Sequence, residues 1–361
     1  MIDAENFNYL HLTIYSLFGL IALLLSLQVD VKGYSPLTIK FCNFLSILLI
    51  VTLTILVGLR GYKVGTDTGN YYLKWKSLNS FEYNSDFLLY LVMYSIKQLS
   101  LSYQFFLFFI SFSFFSAIYF SFKKVSKQQN VNLYFLLFSF FSFFFCLSLS
   151  INVIRQGVSL AFLLLAYSFF INSERKWNII VLLLFLSSAC HMTSIIPLLL
   201  FTSILLLHKI DIKYYYILYL LGITLAYLGY GLNNIAPFLS DLLAGDKRAS
   251  YLSGGEIDYY VVGFKSQFAI FNTVFLIIFS IIHKKYANEE YKNLLKYYIV
   301  SSSLFFMAFQ LPFSDRWGLF SWIVIPFLFS PIYKMSDNIK VFNTLSILFI
   351  ISIFIFFNVY K

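Results

Sequence analysis

The sequence predicts an all-α, polytopic integral membrane protein with about twelve transmembrane helices. Hydrophobic residues make up 60% of its 361 positions and charged residues only 12%, which is far more apolar than a soluble core requires. Apolar runs of about 20 residues, the length that crosses a bilayer as a helix, recur along the chain. Short clusters of Lys or Arg alternate with these runs, as in the loops of multi-pass proteins. We expect residues 1–361 to form a single transmembrane helical domain.

The apolar runs place the predicted spans at 9–28, 39–59, 101–122, 131–150, 154–171, 177–190, 193–208, 214–231, 266–282, 294–311, 317–333 and 341–359. Six connections between them are basic, so the positive-inside rule assigns them to the cytoplasmic side. Twelve spans then put both termini on the non-cytoplasmic side. The basic residues of the cytoplasmic connections are Lys32, Lys40, Lys123, Lys124, Lys127, Arg175, Lys176, Lys209, Lys213, Lys284, Lys285, Lys292, Lys296, Lys334 and Lys340.

Two stretches depart from simple spans. Residues 86–99 are apolar but too short to cross a bilayer at about 1.5 Å per helical residue. Counting them as a span would place the lysine clusters outside, so we predict an interfacial or re-entrant helix on the outer side. The runs 177–190 and 193–208 are also short, and Pro197 follows their junction. We predict a broken or tilted helix pair that meets around His191.

Composition excludes several kinds of site. The formal charge of +10 arises mostly from lysines in loops between helices, so it is explained by membrane topology and does not indicate nucleic-acid binding. Cys42, Cys146 and Cys190 all lie in apolar runs and provide neither a disulfide framework nor a CxxC metal pair. No DxD-like motif occurs in an outer loop. We therefore expect an activity that requires neither a metal ion nor another cofactor.

The longest hydrophilic segments are residues 60–85 and 232–265, and both fall on the non-cytoplasmic side, in loops at about 60–100 and 232–265. The first contains Gly61, Gly65 and Gly69 around Asp67, which predicts tight turns whose backbone N–H groups can face a ligand. A structured turn without a ligand is the alternative interpretation. A loop as long as the second segment is usually functional or disordered.

Two polar stripes follow helical spacing inside otherwise apolar segments. The first comprises Asn152, Arg155, Gln156 and Ser159, and the second comprises Ser187, Ser188, His191 and Ser194. An ionisable residue beside lipid is costly and marks a pathway or binding site, and a histidine can accept a proton near neutral pH. The alternatives are an arginine that snorkels to lipid headgroups and a histidine that only packs and forms a hydrogen bond.

Arginine and lysine are distributed differently between the two sides. The cytoplasmic connections contain fourteen lysines but only one arginine, whereas Arg60, Arg155, Arg248 and Arg316 fall outside. A guanidinium binds phosphate oxygens bidentately, while a lysine suffices to set topology. This partition predicts a site for a phosphorylated group. Taken singly, Arg248 could be solvated in its loop, and Arg316 could form an interfacial salt bridge with Asp315.

Several short segments together resemble the EpsG group of Wzy-like polysaccharide polymerases. They are GLRGYKVGTDTGNYY at 58–72, IRQGVSLAFLLLA at 154–166, HMTSIIPLLL at 191–200, RASY at 248–251 and the arginine of SDRW at 314–317. The segments occur in the order typical of that family. The resemblance implies a bacterial inner-membrane glycosyltransferase of GT-C-like architecture. Such enzymes join oligosaccharide repeat units, carried on undecaprenyl pyrophosphate, at the periplasmic or exterior face of the membrane.

With this resemblance, we expect the following roles. Arg155 and Arg316 form the innermost pair that binds pyrophosphate, Arg248 closes over it from its loop, and Arg60 positions the donor. His191 is the first choice for the base that deprotonates the acceptor hydroxyl, and Asp67 is its rival. The expected substrate-positioning residues are Gln156, Asn152, Tyr71, Tyr72, Tyr251 and Asp315. The expected partners are the lipid-linked donor and acceptor, membrane lipids and a chain-length regulator.

Three other functions remain open at this point. A flippase or exporter of lipid-linked oligosaccharides would also need cations for pyrophosphate, but a transporter should contain repeated halves, and the sequence shows no such repeat. An O-antigen ligase would use the same donor with a different acceptor. A membrane O-acyltransferase can use an embedded histidine, yet it gives no reason for four outward arginines.

Overall fold

The computed structural model describes residues 1–28, 34–81, 83, 86–171, 175–235, 262–286, 288–335 and 340–358. The described backbone is helical apart from loops and isolated bridges such as Ile2 with Arg60. It divides into two compact units, Met1–Ile195 with Phe329–Lys361, and Ile196–Leu328. The single domain expected from the sequence stays a prediction.

The helices of the first unit are α1 Ala4–Leu27, α2 Pro36–Gly58, α3 Thr68–Ser77, α4 Phe87–Gln98, α5 Tyr103–Gln129, α6 Leu133–Phe141, α7 Phe144–Ile151, α8 Ile154–Phe170, α9 Trp177–Cys190 and the C-terminal Lys340–Asn358. The C-terminal helix Lys340–Asn358 is numbered α17. Between α9 and α17 the chain forms α10 Ile195–Leu206, α11 Ile212–Tyr227, α12 Leu232–Ile235, α13 Ser266–Tyr286, α14 Glu289–Met307, α15 Asp315–Trp322 and α16 Ile325–Leu328. Short 3-10 turns lie at Met192–Ser194, Ala308–Gln310 and Ser330–Tyr333.

Side-chain caps explain where several helices begin. Asp3 accepts a hydrogen bond from the Asn6 backbone N–H at 2.8 Å and starts α1. Ser35, followed by Pro36, does the same for α2, and Ser102 does so for α5. Such side chains satisfy N–H groups that the first helical turn leaves unpaired, and proline tolerates the first position because it has no N–H there.

The number of membrane crossings differs from the sequence expectation. Within the described residues, four helices (α1, α2, α5 and α13) are long and apolar enough to cross a bilayer, or five if α6 and α7 count as one span. The predicted span at 131–150 is broken, since α6 and α7 meet at 74°. The predicted span at 317–333 divides into α15, α16 and a 3-10 turn. The chain thus has the helices of a membrane protein, while the count of twelve spans and the GT-C-like architecture stay predictions.

Exposed apolar faces agree with a membrane location. On α1, Leu17, Leu20 and Leu24 are 58%, 56% and 52% exposed and lie on one side of the helix. A soluble protein rarely exposes large contiguous apolar patches, because water makes them costly. Contact with lipid removes that cost.

The first unit has chemically different ends. The Ile2 N–H donates to the Leu59 carbonyl at 2.9 Å, and the Tyr103 hydroxyl donates to the Thr68 carbonyl at 2.9 Å. These contacts bring the end of α2 and the starts of α1, α3 and α5 to one end of the unit. We call it the arginine end and define it by Arg60, Thr68, Asp86, Arg155 and His191.

The opposite end of α5 contains Lys123, Lys124 and Lys127, which define the lysine end. The Lys124 amine lies 3.8 Å from the centre of the Phe169 ring, near the end of α8. Arg155 stands at the start of that same helix. The sequence assigned Arg155 to the outer side and these lysines to the cytoplasm, and in the structure they lie at opposite ends of α5 and α8. The side of the membrane that each end faces stays a prediction.

In the second unit, α13, α14 and α15 share a buried polar centre at Asn272. Its amide donates to Ser302 Oγ at 3.0 Å, and its side-chain oxygen accepts from the Trp322 indole at 2.7 Å. The Tyr298 hydroxyl donates to the Asn272 carbonyl at 2.9 Å. Because buried polar groups are costly unless they are hydrogen-bonded, these bonds fix the packing of α13, α14 and α15.

Cysteine labelling tests the side that each end faces. The native cysteines, Cys42, Cys146 and Cys190, are buried, so a cysteine introduced at an exposed lysine reports its own location. A membrane-impermeant maleimide should label Lys63→Cys in intact cells, whereas Lys123→Cys should react only after permeabilisation. Labelling of both positions from the same side would contradict the topology.

Candidate functional site

A buried carboxylate joins three distant segments at the arginine end. Asp86 Oδ2 accepts hydrogen bonds from Arg155 Nη1 at 2.7 Å and from His191 Nδ1 at 3.0 Å. Its Oδ1 accepts from the Met192 backbone N–H at 3.0 Å. The Asp86 side chain is 1% exposed, compared with 30% for Arg155 and 12% for His191. Arg155 and His191, which the sequence predicted to share a site, are therefore brought together by a third residue.

The helix break at His191 aims the histidine at Asp86. Helix α9 ends at Cys190, and His191 has the extended torsions φ −157° and ψ 111° before the 3-10 turn begins at Met192. This break confirms the predicted interruption around His191. Because the chain leaves the helix here, both the imidazole and the next backbone N–H point at one carboxylate, which a continuous helix would not allow.

The two predicted polar stripes pair with each other along α8 and α9. Ser159 Oγ donates to the Ser187 carbonyl at 2.8 Å, and Ser187 Oγ donates to the Ser159 carbonyl at 2.8 Å. Both serines are fully buried. The small side chains let the helices approach closely, and the reciprocal bonds fix their register. This contact sets Arg155, one turn before Ser159, opposite His191, one turn after Ser187.

Two edges of the Arg155 guanidinium are occupied by neighbouring side chains. Nε donates to the Tyr71 hydroxyl at 3.0 Å, and Nη1 donates to Asp86. Within the described part of the chain, Nη2 has no hydrogen-bond partner. The guanidinium is thus oriented by fixed partners while one edge can still donate to a ligand, since a guanidinium has five N–H groups in a planar fork.

The glycine-rich turn packs against the start of α8. The Thr66 backbone N–H donates to Asn152 Oδ1 at 2.9 Å. Gly65 has φ +81°, and a Cβ there would lie 2.7 Å from Asn152 Oδ1 and 2.8 Å from the Ile151 carbonyl oxygen. Glycine is therefore required both by the backbone conformation and by the close approach. Asn152, expected to position substrate, holds this turn in the structure.

Arg60 is fully buried beneath the turn. Its Nη1 donates to the Val57 carbonyl at 2.7 Å and to Ser111 Oγ at 3.4 Å, and its Nε donates to Thr68 Oγ1 at 3.3 Å. The Thr68 hydroxyl in turn donates to the Ile151 carbonyl at 3.1 Å. The cation caps the carbonyl end of α2, where the helix dipole is negative. Burial lowers the pKa of Arg60 to about 10, which keeps it charged at neutral pH. This placement gives Arg60 a structural role at the site.

The electrostatics of Asp86 depend on its partners. Burial alone would raise its pKa, but the hydrogen bonds from His191 and the Met192 N–H, together with the charge of Arg155, hold the pKa well below its usual value of 3.8. The carboxylate is therefore ionised at neutral pH and accepts all three hydrogen bonds. Burial raises the pKa of Tyr71 to about 12 against the opposing charge of Arg155, so this hydroxyl stays protonated.

The remaining predicted residues of the first unit surround this cluster in different ways. Tyr72 stacks on Tyr62 with ring centres 5.1 Å apart and also contacts Tyr103. Asp67 immediately precedes α3 and is partly buried. Gln156 is buried on α8 next to Arg155.

Arg316 and Asp315 lie in the second unit at the start of α15. The Arg316 guanidinium stacks on the Phe313 ring at 4.6 Å, and Phe313 has the left-handed torsion φ 55°. The Lys265 amine donates to the neighbouring Ser314 Oγ at 2.8 Å, which adds a second cation that the sequence did not single out. A non-glycine residue at such a torsion is strained, and strained residues are often found at functional sites. Arg248 and Tyr251 lie outside the described residues.

Asp86 is the residue that sequence reasoning missed. It directly precedes an apolar helix, and from the sequence alone it marks only the edge of that segment. One available signal was that a single acid stands beside an apolar run on the side that also holds the arginines. Its partners lie 69 and 105 residues away, and no local spacing reveals them.

Comparison with known proteins gives one match. The model of the EpsG family matches residues 43–361. No curated protein and no solved structure matches the chain significantly. The matched range contains Arg60, Asp86, Arg155, His191 and Arg316.

Replacing Asp86 tests how much the buried carboxylate stabilises the fold. Since its folded-state pKa lies below the usual 3.8, its contribution is fully present at neutral pH and is lost as the pH falls below that value. Asp86→Asn should destabilise the protein by about 2 kcal/mol at pH 7, because the partly buried Arg155 guanidinium loses its charged partner and the remaining exposure of Arg155 lessens the cost. The difference in thermal midpoint between wild type and variant should narrow between neutral pH and pH values below 3.8. A difference that is independent of pH would show that the ion pairs do not stabilise the fold.

The matched control is Glu289→Gln. Glu289 forms a surface pair with Lys292, and its side chain is 77% exposed. Exposed pairs contribute little to stability, so this variant should keep the wild-type midpoint at every pH.

Proposed function

The chain belongs to the EpsG family, and on that premise we propose that it is a polysaccharide repeat-unit polymerase. Membership indicates a polysaccharide polymerase-like membrane protein of a glycosyltransferase-like family. The proposed donor is an O-antigen or exopolysaccharide chain on undecaprenyl pyrophosphate, and the proposed acceptor is a second lipid-linked repeat unit. The enzyme would act at the outer face of a bacterial inner membrane, with the arginine end facing the periplasm or cell exterior.

The proposed reaction transfers the growing chain to a sugar hydroxyl. The acceptor oxygen attacks C1 of the donor's reducing-end sugar and forms the new glycosidic bond. The bond from C1 to the phosphate oxygen breaks, and the lipid pyrophosphate leaves with the electron pair. The hydroxyl proton passes to a base. Catalysis therefore requires a positioned base and cations that stabilise the leaving pyrophosphate.

One observation carries the proposal: Asp86 Oδ2 binds both Arg155 and His191. Because an ionised carboxylate only accepts hydrogen bonds, His191 must donate from Nδ1. Nε2 is then the ring nitrogen that accepts a proton. A carboxylate that orients an imidazole and stabilises its protonated form is the arrangement by which histidine serves as a general base. We assign the base to His191 and a positioning role to Asp86.

The net charge of the cluster formed by Arg155, Asp86 and His191 becomes more positive as the leaving group becomes negative. Arg155 contributes +1 and Asp86 contributes −1, so the cluster is neutral while His191 is neutral. When His191 takes the acceptor proton, the net charge becomes +1 as negative charge develops on the pyrophosphate. A site that changes in this way stabilises the transition state more than the bound substrate. We propose that the Nη2 edge of Arg155 donates hydrogen bonds to the pyrophosphate oxygens.

The other predicted residues have proposed roles in the same reaction. Arg316 with Lys265, and Arg248 from its loop, would bind pyrophosphate. Tyr71 orients Arg155, and Asn152 holds the glycine-rich turn whose N–H groups would contact substrate. Asp67 is the second candidate for the base. Gln156, Tyr72, Tyr251 and Asp315 would position sugars, and a chain-length regulator is a further proposed partner.

Polymerisation of a purified lipid-linked unit tests the proposal. The wild-type protein, given a synthetic undecaprenyl-pyrophosphate repeat unit in EDTA and no nucleotide sugar, should produce a ladder of longer lipid-linked chains by mass spectrometry. Arg155→Ala and His191→Ala should each reduce the rate by about 100-fold or more, as expected for a transition-state cation and a general base. Arg155→Lys should remain defective, because lysine cannot donate to Asp86, Tyr71 and phosphate from one plane.

Matched controls come from the same chain. Arg175→Ala removes an exposed arginine near the lysine end, and His208→Ala removes an exposed histidine of the second unit, so both should polymerise at the wild-type rate. Activity that EDTA abolishes and a divalent ion restores would contradict the metal-independent mechanism. If the lipid-linked repeat unit is not extended, the result would contradict polymerase activity. Movement of that unit across a proteoliposome membrane would then identify a flippase, and transfer to lipid A core would identify a ligase.

A further inference from the structure

An apolar crevice opens at the lysine end, on the side of the first unit opposite to the proposed active site. It has a volume of about 450 Å³ and lies between α5, α8 and α9. Leu165, Phe169, Ile179 and Leu183 line its apolar wall together with Phe120. Phe120 is 53% exposed, so the wall continues onto the outer surface of α5. The crevice is therefore accessible from the lipid-facing side of the helix.

Three lysine cations stand along this crevice. Lys123, Lys124 and Lys127 all line it, and none of them pairs with a carboxylate in the part of the chain that the structure describes. Lys176, at the start of α9, adds to the repulsion that Lys127 exerts on Lys124. Like charges gathered at a surface destabilise one another unless an anion neutralises them.

A second crevice meets the first at the same lysines. Lys123 and Lys127 also line a space of about 300 Å³ on the other side of α5, together with Asn43, Asn130 and Asn132. Ile39, Val131, Leu133 and Met335 line it as well, so this space is mixed in character but more polar than the first. The lysines thus stand at a boundary between an apolar groove and a more polar recess, as the phosphate of a phospholipid stands between its acyl chains and its headgroup.

We propose that the lysine end is a binding site for an anionic phospholipid, with the phosphate on Lys123, Lys124 and Lys127. One acyl chain lies along the apolar wall formed by Leu165, Phe169, Ile179 and Leu183, and the headgroup faces the polar recess. Basic pockets between membrane helices bind anionic headgroups by the same combination of charge and apolar contact. A free phosphate would neutralise the lysines but leave the apolar wall empty. This site is independent of the proposed polymerase activity.

Lipid selectivity in vesicles tests the site. The protein is reconstituted in phosphatidylcholine with trace nitroxide-labelled phosphatidylglycerol or phosphatidylcholine, and electron paramagnetic resonance measures the immobilised fraction of each. In the wild type, the immobilised fraction of phosphatidylglycerol should exceed that of phosphatidylcholine by roughly fivefold or more. The double variant Lys124→Gln with Lys127→Gln should bring the ratio of these two fractions close to one. Lys124→Arg with Lys127→Arg should keep the preference, because positive charge is retained.

The control variant is Lys209→Gln with Lys213→Gln, which loses the same charge at two exposed lysines of the second unit and should keep the wild-type ratio. Each variant must elute as a single species with the wild-type thermal midpoint. An unchanged ratio in Lys124→Gln with Lys127→Gln, or an equal loss in the control, would overturn the site. So would displacement of phosphatidylglycerol by inorganic phosphate but not by chloride at equal ionic strength, because the lysines would then bind the anion alone.

Discussion

The hydrogen bonds to the Asp86 carboxylate hold the arginine end together. A buried carboxylate is expensive to desolvate and persists only when charged or polar donors compensate it. Here the donors come from Arg155, His191 and Met192, which stand 69, 105 and 106 residues further along the chain. The start of α4, the start of α8 and the break after α9 are therefore fixed against one another. The positions of the proposed base and the proposed phosphate-binding cation both depend on this carboxylate.

The two arginines of the first unit show how position decides what a cation does. Arg60 is fully buried on the carbonyl end of α2, and its bonds reach the glycine-rich turn through Thr68. Arg155 is partly exposed and is oriented by Tyr71 and Asp86. The first cation stabilises the scaffold, and the second keeps one edge for a ligand. Both are rigidly held, which is the condition for a preorganised electrostatic site.

Local patterns in the sequence predicted the helices well and the contacts between them poorly. The run 177–190 is a helix with those bounds, and the break at His191 follows where predicted. The bend within 131–150 carries no glycine or proline signal, so the apolar run alone could not reveal it. The two polar stripes were recognisable because helical spacing is local. Asp86 was not, because its partners are set by tertiary packing. The burial of Arg60 had no sequence signal either, since an arginine after an apolar run suits an exposed or a capping position equally.

The most direct test of the account is a double-mutant cycle between Asp86 and His191 in the polymerisation assay. Rates would be measured for wild type, Asp86→Asn, His191→Ala and the double variant. If Asp86 acts mainly by positioning His191, most of its effect disappears once the imidazole is gone, so Asp86→Asn should slow the His191→Ala variant far less than it slows the wild type, and the remaining effect is the lost orientation of Arg155. If the two losses multiply instead, Asp86 and His191 act separately, and the proposed catalytic unit does not exist.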